Sequence, residues 1–296
     1  MTSLSDSIEK LMTLEELDLD RNRLASLPAW IGKLSLLKTL SLYSNRLSSL
    51  PESLWRLTEL QTLNLAGNSF SHLSEGIGNL TNLHMLDLGH NELYALPDSI
   101  GNLHGLAFLY LSNNHLASLP LSFGNLSGLI YLNITDNGLA SLPELVGSLT
   151  HLIELRLYNN QLSTLPETLG QLTELRELHL MNNELAILPV SIGGMASLRK
   201  LDLQDNRLTS LPASVGKLTN LRELNLRNNV LEALPESVCD LKNLRYLDLR
   251  ANRAIHLPER LGELERLEKL DLRWTKLSPL PSWIQQLEQR GCVVFT

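Results

Sequence analysis

An asparagine stands at every twenty-third position along most of this chain, eleven times without interruption. The positions are Asn22, Asn45, Asn68, Asn91, Asn114, Asn137, Asn160, Asn183, Asn206, Asn229 and Asn252. Neither the helix period nor the strand period produces this spacing, so one small unit is copied in tandem. A repeat of this length predicts a solenoid, and such folds usually present extended surfaces rather than enclosed active sites.

Each unit has two halves with different local preferences. The unit that begins at Leu37 reads LKTLSLYSNRLSSLPESLWRLTE, and its leucines at 40 and 42 alternate with polar residues. Period two predicts a half-buried strand. The second half, which carries Pro and often Gly, is too short for a stable helix and predicts a single 3₁₀ or α turn. Because one unit cannot bury its own leucines, the strands should stack in parallel, about 4.8 Å apart.

The shared pattern, L-x-x-L-x-L-x-x-N-x-L-x-x-L-P-x-x-I-G-x-L, resembles the leucine-rich repeat family in its 23-residue intracellular form. Ras-group and Scribble-like scaffolds and many bacterial proteins carry similar repeats. The resemblance implies an α/β solenoid: a right-handed, curved horseshoe with a parallel sheet on its concave face and short 3₁₀ or α turns on its convex face. Family members bind very different partners, so the resemblance implies binding without naming the ligand.

The unbroken period predicts a single domain over residues 1–296. We expect a half-repeat cap at 1–13, twelve repeats over 14–289 and a capping strand at 290–296. Counting one repeat onward from Leu270 and Leu272 places Val293 and Phe295 at the two strand-leucine positions of a thirteenth unit, where they would close the core. Several residues depart from the repeat pattern without removing a unit: Trp55, Phe70, Ser74, Cys239, Ala254 and Thr275.

The repeated asparagine is interpreted as scaffold rather than as part of a binding site. It lies where the chain leaves the β-strand and turns inward, a turn that would leave backbone polar groups unpaired in the core. A carboxamide offers two donors and an acceptor, so a ladder of them can satisfy those groups. We therefore expect Asn137→Ala to cost about 1–3 kcal/mol of folding free energy.

Charge and cysteine content limit which classes of partner and which cellular compartment we expect. The net charge is −7, the pI is about 5.6 and no Lys/Arg-rich run occurs, so neither nucleic acid nor a membrane is an expected partner. The amino terminus does not read as a signal peptide, and only Cys239 and Cys292 could form a disulfide. We expect a cytoplasmic monomer, with secretion of a bacterial effector by a signal-independent route as the alternative.

The strand positions that flank the buried leucines form columns on the predicted concave face, and one group of them is unusually rich in aromatic residues. Aromatic, Met and Arg side chains are enriched at interface hot spots. The alternative is that aromatics simply stack as cross-strand neighbours. The predicted central partner-binding residues are Met85, Phe108, Tyr110, Tyr131, Arg156, Tyr158, His179 and Met181.

A second group lies nearer the carboxyl end. Arg227, Arg250 and Arg273 form one column, and Trp274 follows as a rigid apolar anchor. The functional interpretation is a strip that binds an acidic peptide or phosphate. The competing interpretation is neutralisation by the aspartates of the adjacent column, among them Asp248 and Asp271.

No catalytic or cofactor motif is present in the sequence. There is no P-loop, dinucleotide fingerprint or nucleophile elbow, and His90 and His115 lack a third metal ligand. We therefore predict no enzyme activity, no cofactor and no metal. The predicted function is a non-catalytic module that binds a protein or peptide. The alternative is the recognition arm of a larger enzyme or bacterial effector, such as a ubiquitin ligase, a Roco GTPase or a kinase.

Overall fold

The computed structural model describes residues 1–252 and 255–296, and its contacts group into two compact units, Met1–Leu139 and Ala140–Thr296. The departure at Ala254 lies outside the described residues, whereas its neighbour Ile255 is buried. The expectation of one continuous domain remains a prediction.

The first unit alternates short strands with five-residue 3₁₀ helices. Its strands are β1 (Glu16–Asp18), β2 (Thr39–Ser41), β3 (Thr62–Asn64), β4 (Met85–Asp87), β5 (Phe108–Tyr110) and β6 (Tyr131–Asn133). Its 3₁₀ helices span Asp6–Lys10, Ala29–Lys33, Glu52–Arg56, Glu75–Asn79, Asp98–Asn102 and Leu121–Asn125. The first of these helices precedes β1 and occupies the place that the second half of a repeat has elsewhere; the half-repeat cap remains a prediction.

The second unit repeats the arrangement and ends differently. Its strands are β7 (Glu154–Arg156), β8 (Glu177–His179), β9 (Lys200–Asp202), β10 (Glu223–Asn225), β11 (Tyr246–Asp248), β12 (Lys269–Asp271) and β13 (Val293–Phe295). Its 3₁₀ helices span Glu144–Ser148, Glu167–Gln171, Val190–Gly194, Ala213–Lys217, Glu236–Asp240 and Glu259–Glu263. An α-helix, α1 (Trp283–Gln289), precedes β13.

Within each unit, consecutive strands pair in parallel, and up to β12 they keep the register of the 23-residue repeat. Leu17 lies opposite Leu40 in the first unit, and Leu224 lies opposite Leu247 in the second. The middle residue of nearly every strand is buried, as Leu40 is, while its two neighbours face outward. The predicted α/β solenoid of stacked strands and 3₁₀ turns is thus confirmed in both units.

Proline explains where most 3₁₀ helices begin. Pro97 caps the helix Asp98–Asn102 with φ −67°, the angle that its ring imposes. Ser74 replaces proline in its unit, and its hydroxyl accepts a hydrogen bond from the Gly76 amide at 3.1 Å. Ser74 can therefore begin this 3₁₀ helix in place of proline, because serine is a preferred N-cap residue.

Trp55 shows how a departure in one repeat is accommodated by the next. It fills the slot that glycine usually occupies and is buried. In a typical repeat that glycine packs against a serine of the next helix, as Gly101 does against Ser122. Against Trp55 the next helix carries Gly76, where an added Cβ would lie 2.2 Å from Trp55 Cδ1. The bulky residue and the missing side chain therefore complement each other.

The asparagine ladder has the role predicted for it. Asn114 Nδ2 donates to the carbonyls of Leu88 and Leu111, both at 3.0 Å, and its Oδ1 accepts from the Leu93 amide at 3.0 Å. Thr275 takes this place in the last repeat, and among the described residues its Oγ1 donates only within its own repeat, to Leu272 O at 2.6 Å. A ladder carboxamide such as that of Asn114 thus links two consecutive repeats.

The residue before the ladder position is left-handed in nearly every repeat. Asn, Asp or Gly often fills it, as at Asn113, Asp136 and Gly67, because these residues tolerate positive φ. Trp274 occupies the same position with φ 66°. A bulky residue in this conformation is strained.

The register predicted from the sequence for the last strand is wrong by one residue. Val294, not Val293, lies opposite Leu270, and Phe295 lies opposite Asp271. Val293 and Phe295 are 53% and 37% exposed, so neither closes the core as a strand leucine would. The last repeat contains α1 and a left-handed Gly291 at φ 91°, and it is one residue longer than the repeat before it. One added residue turns every side chain of a strand to the other face.

None of the helices found in residues 1–252 and 255–296 has the length and apolar character that crossing a membrane requires.

Candidate binding surface

We use "sheet face" for the outward side chains of the strands and the residue that follows each strand's second leucine. In β5, Phe108 and Tyr110 point outward because Leu109 between them is fully buried. The same alternation repeats in the neighbouring strands, so outward residues one repeat apart stand side by side. The predicted columns therefore exist within each unit.

Four of the predicted central residues lie on the sheet face of the first unit. Met85, Phe108 and Tyr131 are consecutive in one column, and Tyr110 stands in the next. All four are half-buried. The rings of Tyr110 and Tyr131 approach to 5.1 Å between centroids, and Phe108 meets the edge of His84 at 5.4 Å. The expected aromatic packing is present and leaves part of each ring exposed.

The other four central residues lie on the second unit. Arg156 and His179 belong to β7 and β8, while Tyr158 and Met181 follow those strands. Arg156 Nε contacts Glu154 Oε1 at 2.5 Å. His179 is only 7% exposed, and its Nε2 lies 3.1 Å from Glu177 Oε2. Within this half of the predicted set, Arg156 and His179 each contact a carboxylate.

The arginine column is largely neutralised by the aspartates beside it. Arg250 forms a forked contact with Asp248 and lies 3.4 Å from Asp271. Arg273 Nη2 lies 2.6 Å from Asp271 Oδ2. Arg227 forms no side-chain ion pair with any part of the chain that the structure describes. Arg253, three residues after Arg250 in the same repeat, lies outside the described residues.

Asp271 and Asp202 occupy the same column, but their pKa values are shifted in opposite directions. Burial alone would raise the pKa of Asp271, but hydrogen bonds from Arg273 and the charge of Arg250 outweigh it and hold the pKa below its usual value. Burial raises the pKa of Asp202, and the hydrogen bonds from Gln204 and Asn225 offset this only in part. The Asp202 carboxylate is therefore poorly compensated by its own surroundings.

Sequence reasoning missed a shallow depression on the second unit. It has a volume of about 230 Å³, and its floor includes Asp202, Asn225 and Asp248. Lys200, Tyr246 and Lys269 also line it. The signal was present in the columns, where three short side chains follow one another between longer ones.

Trp274 stands exposed beside the arginine column. Its side chain is 64% exposed, and the Arg273 guanidinium carbon lies 5.8 Å from its ring centroid. The same guanidinium lies 5.0 Å from the ring of Phe295. The register shift of β13 therefore places an aromatic ring beside Arg273 that the sequence had assigned to the core.

Comparison with known proteins agrees with this architecture. A family model described as a leucine-rich repeat region matches residues 2–93 and 67–187, and a second, described as leucine rich repeat, matches residues 196–254. The chain belongs to the leucine-rich repeat family. Its fold is typical of protein–protein interaction modules. No curated protein sequence matched significantly.

Solved structures with this fold include bacterial, plant and animal proteins. A leucine-rich repeat protein of Leptospira interrogans, LIC12759, is 31% identical, with a TM-score of 0.70 over 99% of this chain and 86% of that chain. The plant peptide hormone receptor RGFR1, solved in complex with RGF2, is 31% identical, with a TM-score of 0.78 over 92% of this chain and 50% of the receptor. The Drosophila Toll–Spatzle complex gives 25% identity and a TM-score of 0.77 over 93% of this chain and 43% of that chain.

Proposed function

We propose that this chain is a non-catalytic interaction module that binds a protein or peptide partner through its sheet face. Rows of outward side chains on regularly spaced strands form a broad open surface, which suits an extended or folded protein ligand. Two of the structural relatives were solved with protein or peptide ligands, RGFR1 with RGF2 and Toll with Spatzle. These complexes support a protein partner here.

The observation that carries the proposal is the aromatic group of the first unit. Tyr110 and Tyr131 already contact each other at 5.1 Å, so their rings are ordered before a partner arrives. Binding then avoids much of the entropy cost of fixing flexible side chains. Rings that stay half-exposed retain apolar area for a partner to cover, and aromatic anchors of this kind dominate interface energetics.

Trp274 is proposed as a secondary anchor, in place of an acidic-ligand strip. Arg250 and Arg273 are engaged with Asp248 and Asp271, so an acidic ligand would have to compete with carboxylates already in contact. Trp274 combines high exposure with a strained positive φ. A strained residue that contributes little burial points to a role outside folding.

We propose a reducing, cytoplasmic location because both cysteines are free thiols. Cys239 and Cys292 are both buried and free, and burial raises the pKa of each thiol to about 11. Both therefore remain protonated at neutral pH, and a chain that keeps its only two cysteines as unreactive thiols suits a reducing compartment.

The test uses alanine in place of Phe108, Tyr110, Tyr131 and Tyr158. Partners are captured from the source cell with the unaltered chain and identified by mass spectrometry, and binding of the purified partner is then compared between chains. We expect the variant with all four substitutions to have a melting temperature near that of the unaltered chain and to no longer capture the partner. The matched control is Tyr94→Ala, because Tyr94 is 59% exposed but lies outside the sheet-face columns. Retained capture by a folded variant removes this surface from the proposal.

A further inference from the structure

Three side chains of the second unit converge on one point of the sheet face. They are Glu154 on β7 and Glu177 and His179 on β8, and one ligand atom of each lies within 4.8 Å of the other two. His179 Nε2 is 3.1 Å from Glu177 Oε2 and 3.9 Å from Glu154 Oε1. The imidazole is nine-tenths buried, so its position is fixed by packing.

The repeat itself builds this convergence. Glu177 and His179 are two residues apart on one strand and therefore share a face. Glu154 lies directly opposite Glu177 on the neighbouring strand, since the two strands pair in register. Parallel strands are about 4.8 Å apart, which brings the two carboxylates and the imidazole together without any special loop.

We propose that Glu154, Glu177 and His179 form a zinc-binding site. Zinc binds imidazole nitrogen and carboxylate oxygen at about 2.0–2.2 Å, so tetrahedral ligand atoms lie roughly 3.3–3.5 Å apart. The observed separations of 3.1 and 3.9 Å from His179 Nε2 bracket that value, and a small rotation of Glu154 would close the longer one. An imidazole among the ligands favours zinc over calcium or magnesium, which prefer all-oxygen sites.

Acidic side chains outnumber basic ones around the cluster, where Lys200 stands opposite Glu177 and Arg156 lies beside Glu154. Two carboxylates stand side by side, and Asp202 lies opposite His179 on the next strand. Three protein ligands leave a fourth zinc position open on the solvent side. A water molecule, or a carboxylate or imidazole of a bound protein, would complete the coordination there.

Arg156 is the internal competitor for this site. Its Nε lies 2.5 Å from Glu154 Oε1, the same oxygen that faces His179. A guanidinium and a zinc ion cannot both occupy the space beside that oxygen. Removing the guanidinium should therefore tighten zinc binding, an effect that adventitious binding to surface histidines does not predict.

The experiment titrates the full chain, without a polyhistidine tag, with zinc chloride by isothermal calorimetry, and with calcium chloride in parallel. We expect one zinc per chain and no calcium binding. His179→Asn should weaken zinc binding more than tenfold, since even the loss of a residue that supports a ligand costs about 10–100-fold. Asparagine is this chain's own residue at the equivalent positions of β3 and β10, Asn64 and Asn225, so the fold should survive the change.

Two further variants separate the site from its surroundings. Glu223→Gln is the matched control: Glu223 stands in the column of Glu154 and Glu177 but outside the cluster, so zinc affinity should not change. Arg156→Ser, which introduces the residue found at the equivalent position 41, should tighten binding several-fold. Absence of zinc binding, or equal affinity in the parent and in a folded His179→Asn chain, overturns the proposal. Neither result depends on a protein partner, so the outcome is distinct from the test of the proposed function.

Discussion

The sheet face of the first unit and that of the second are built on the same scaffold but are held together by different forces. In the first unit, Phe108, Tyr110 and Tyr131 are positioned by ring contacts 5.1–5.4 Å apart. In the second, Arg250 and Arg273 are positioned by carboxylates, with Arg273 Nη2 2.6 Å from Asp271 Oδ2. Up to β12 the strands beneath both faces pair in the same register, so the difference lies mainly in the outward residues.

This difference bears on where binding energy can come from. A partner that covers half-exposed rings gains apolar burial and loses no existing polar contact. A partner that covers an ion pair must remove water from both charges, and the attraction often only repays that cost. We therefore expect the first unit to contribute most of the affinity and the second to contribute selectivity.

The largest expected effect is the difference in partner binding between two tyrosine substitutions at the same position of their repeats. Tyr131→Ala in the first unit should weaken partner binding by more than about 30-fold, which corresponds to a hot spot of about 2 kcal/mol. Tyr246→Ala, in the second unit, should change it by less than about threefold, because the Tyr246 hydroxyl is already bonded to Glu268 at 2.9 Å. Surface plasmon resonance with the captured partner measures both, and similar losses at the two sites would contradict the comparison.

Scaffold positions should show no such difference between the units. Asn137→Ala and Asn206→Ala should each lower the free energy of unfolding by about 1–3 kcal/mol. Asn137 Nδ2 donates to Leu111 O at 2.9 Å, and Asn206 Nδ2 donates equivalently to Leu180 O at 2.9 Å. Urea denaturation of the two variants gives the values. A loss in one unit alone would show that the scaffold, and not only the surface, differs.

The two aspartates of the second unit should respond oppositely to pH. The pKa of Asp271 is lowered, so its stabilisation is present above the ordinary aspartate pKa near 4 and is lost as pH falls through the lower folded value. Asp271→Asn should therefore cost about 1–2 kcal/mol at pH 7, and the cost should vanish in acid. The pKa of Asp202 is raised, so the parent loses stability as pH rises from about 4 through the higher folded value.

Asp202→Asn should accordingly stabilise the chain at neutral pH by less than about 1 kcal/mol. Chemical denaturation at pH 7 and at pH 3 measures both substitutions. Destabilisation by Asp202→Asn at pH 7 would show that a cation already compensates this carboxylate, and the contrast between the two aspartates would then disappear.

The smallest expected effect concerns Trp274. Trp274→Asn should raise the free energy of unfolding by about 0.5–1 kcal/mol, because asparagine tolerates the left-handed conformation that strains tryptophan. Asparagine fills this position at Asn228, for which the reverse change, Asn228→Trp, should be destabilising. Thermal melts of both variants test the pair. A lower melting temperature for Trp274→Asn would mean that its ring contacts outweigh the strain.

The repeated pattern was sufficient to predict the strands, the 3₁₀ turns and the asparagine ladder. Each follows from local period and from the need to satisfy buried backbone groups, and both requirements are visible in one unit. The columns were equally predictable, because a constant repeat length assigns every outward residue a neighbour. The pairing of the arginines with the aspartates was foreseen only as one of two interpretations, since side-chain direction is not encoded in column position.

What the sequence determined by itself is the repeating scaffold and the order of residues on its sheet face, because these depend on short-range period alone. The tertiary structure decided the end of the chain and the electrostatics. One residue more in the last repeat moved Phe295 from the expected core to a position beside Arg273. The convergence of Glu154, Glu177 and His179 likewise appears only when neighbouring strands are placed side by side, because it depends on distances between side chains of different repeats.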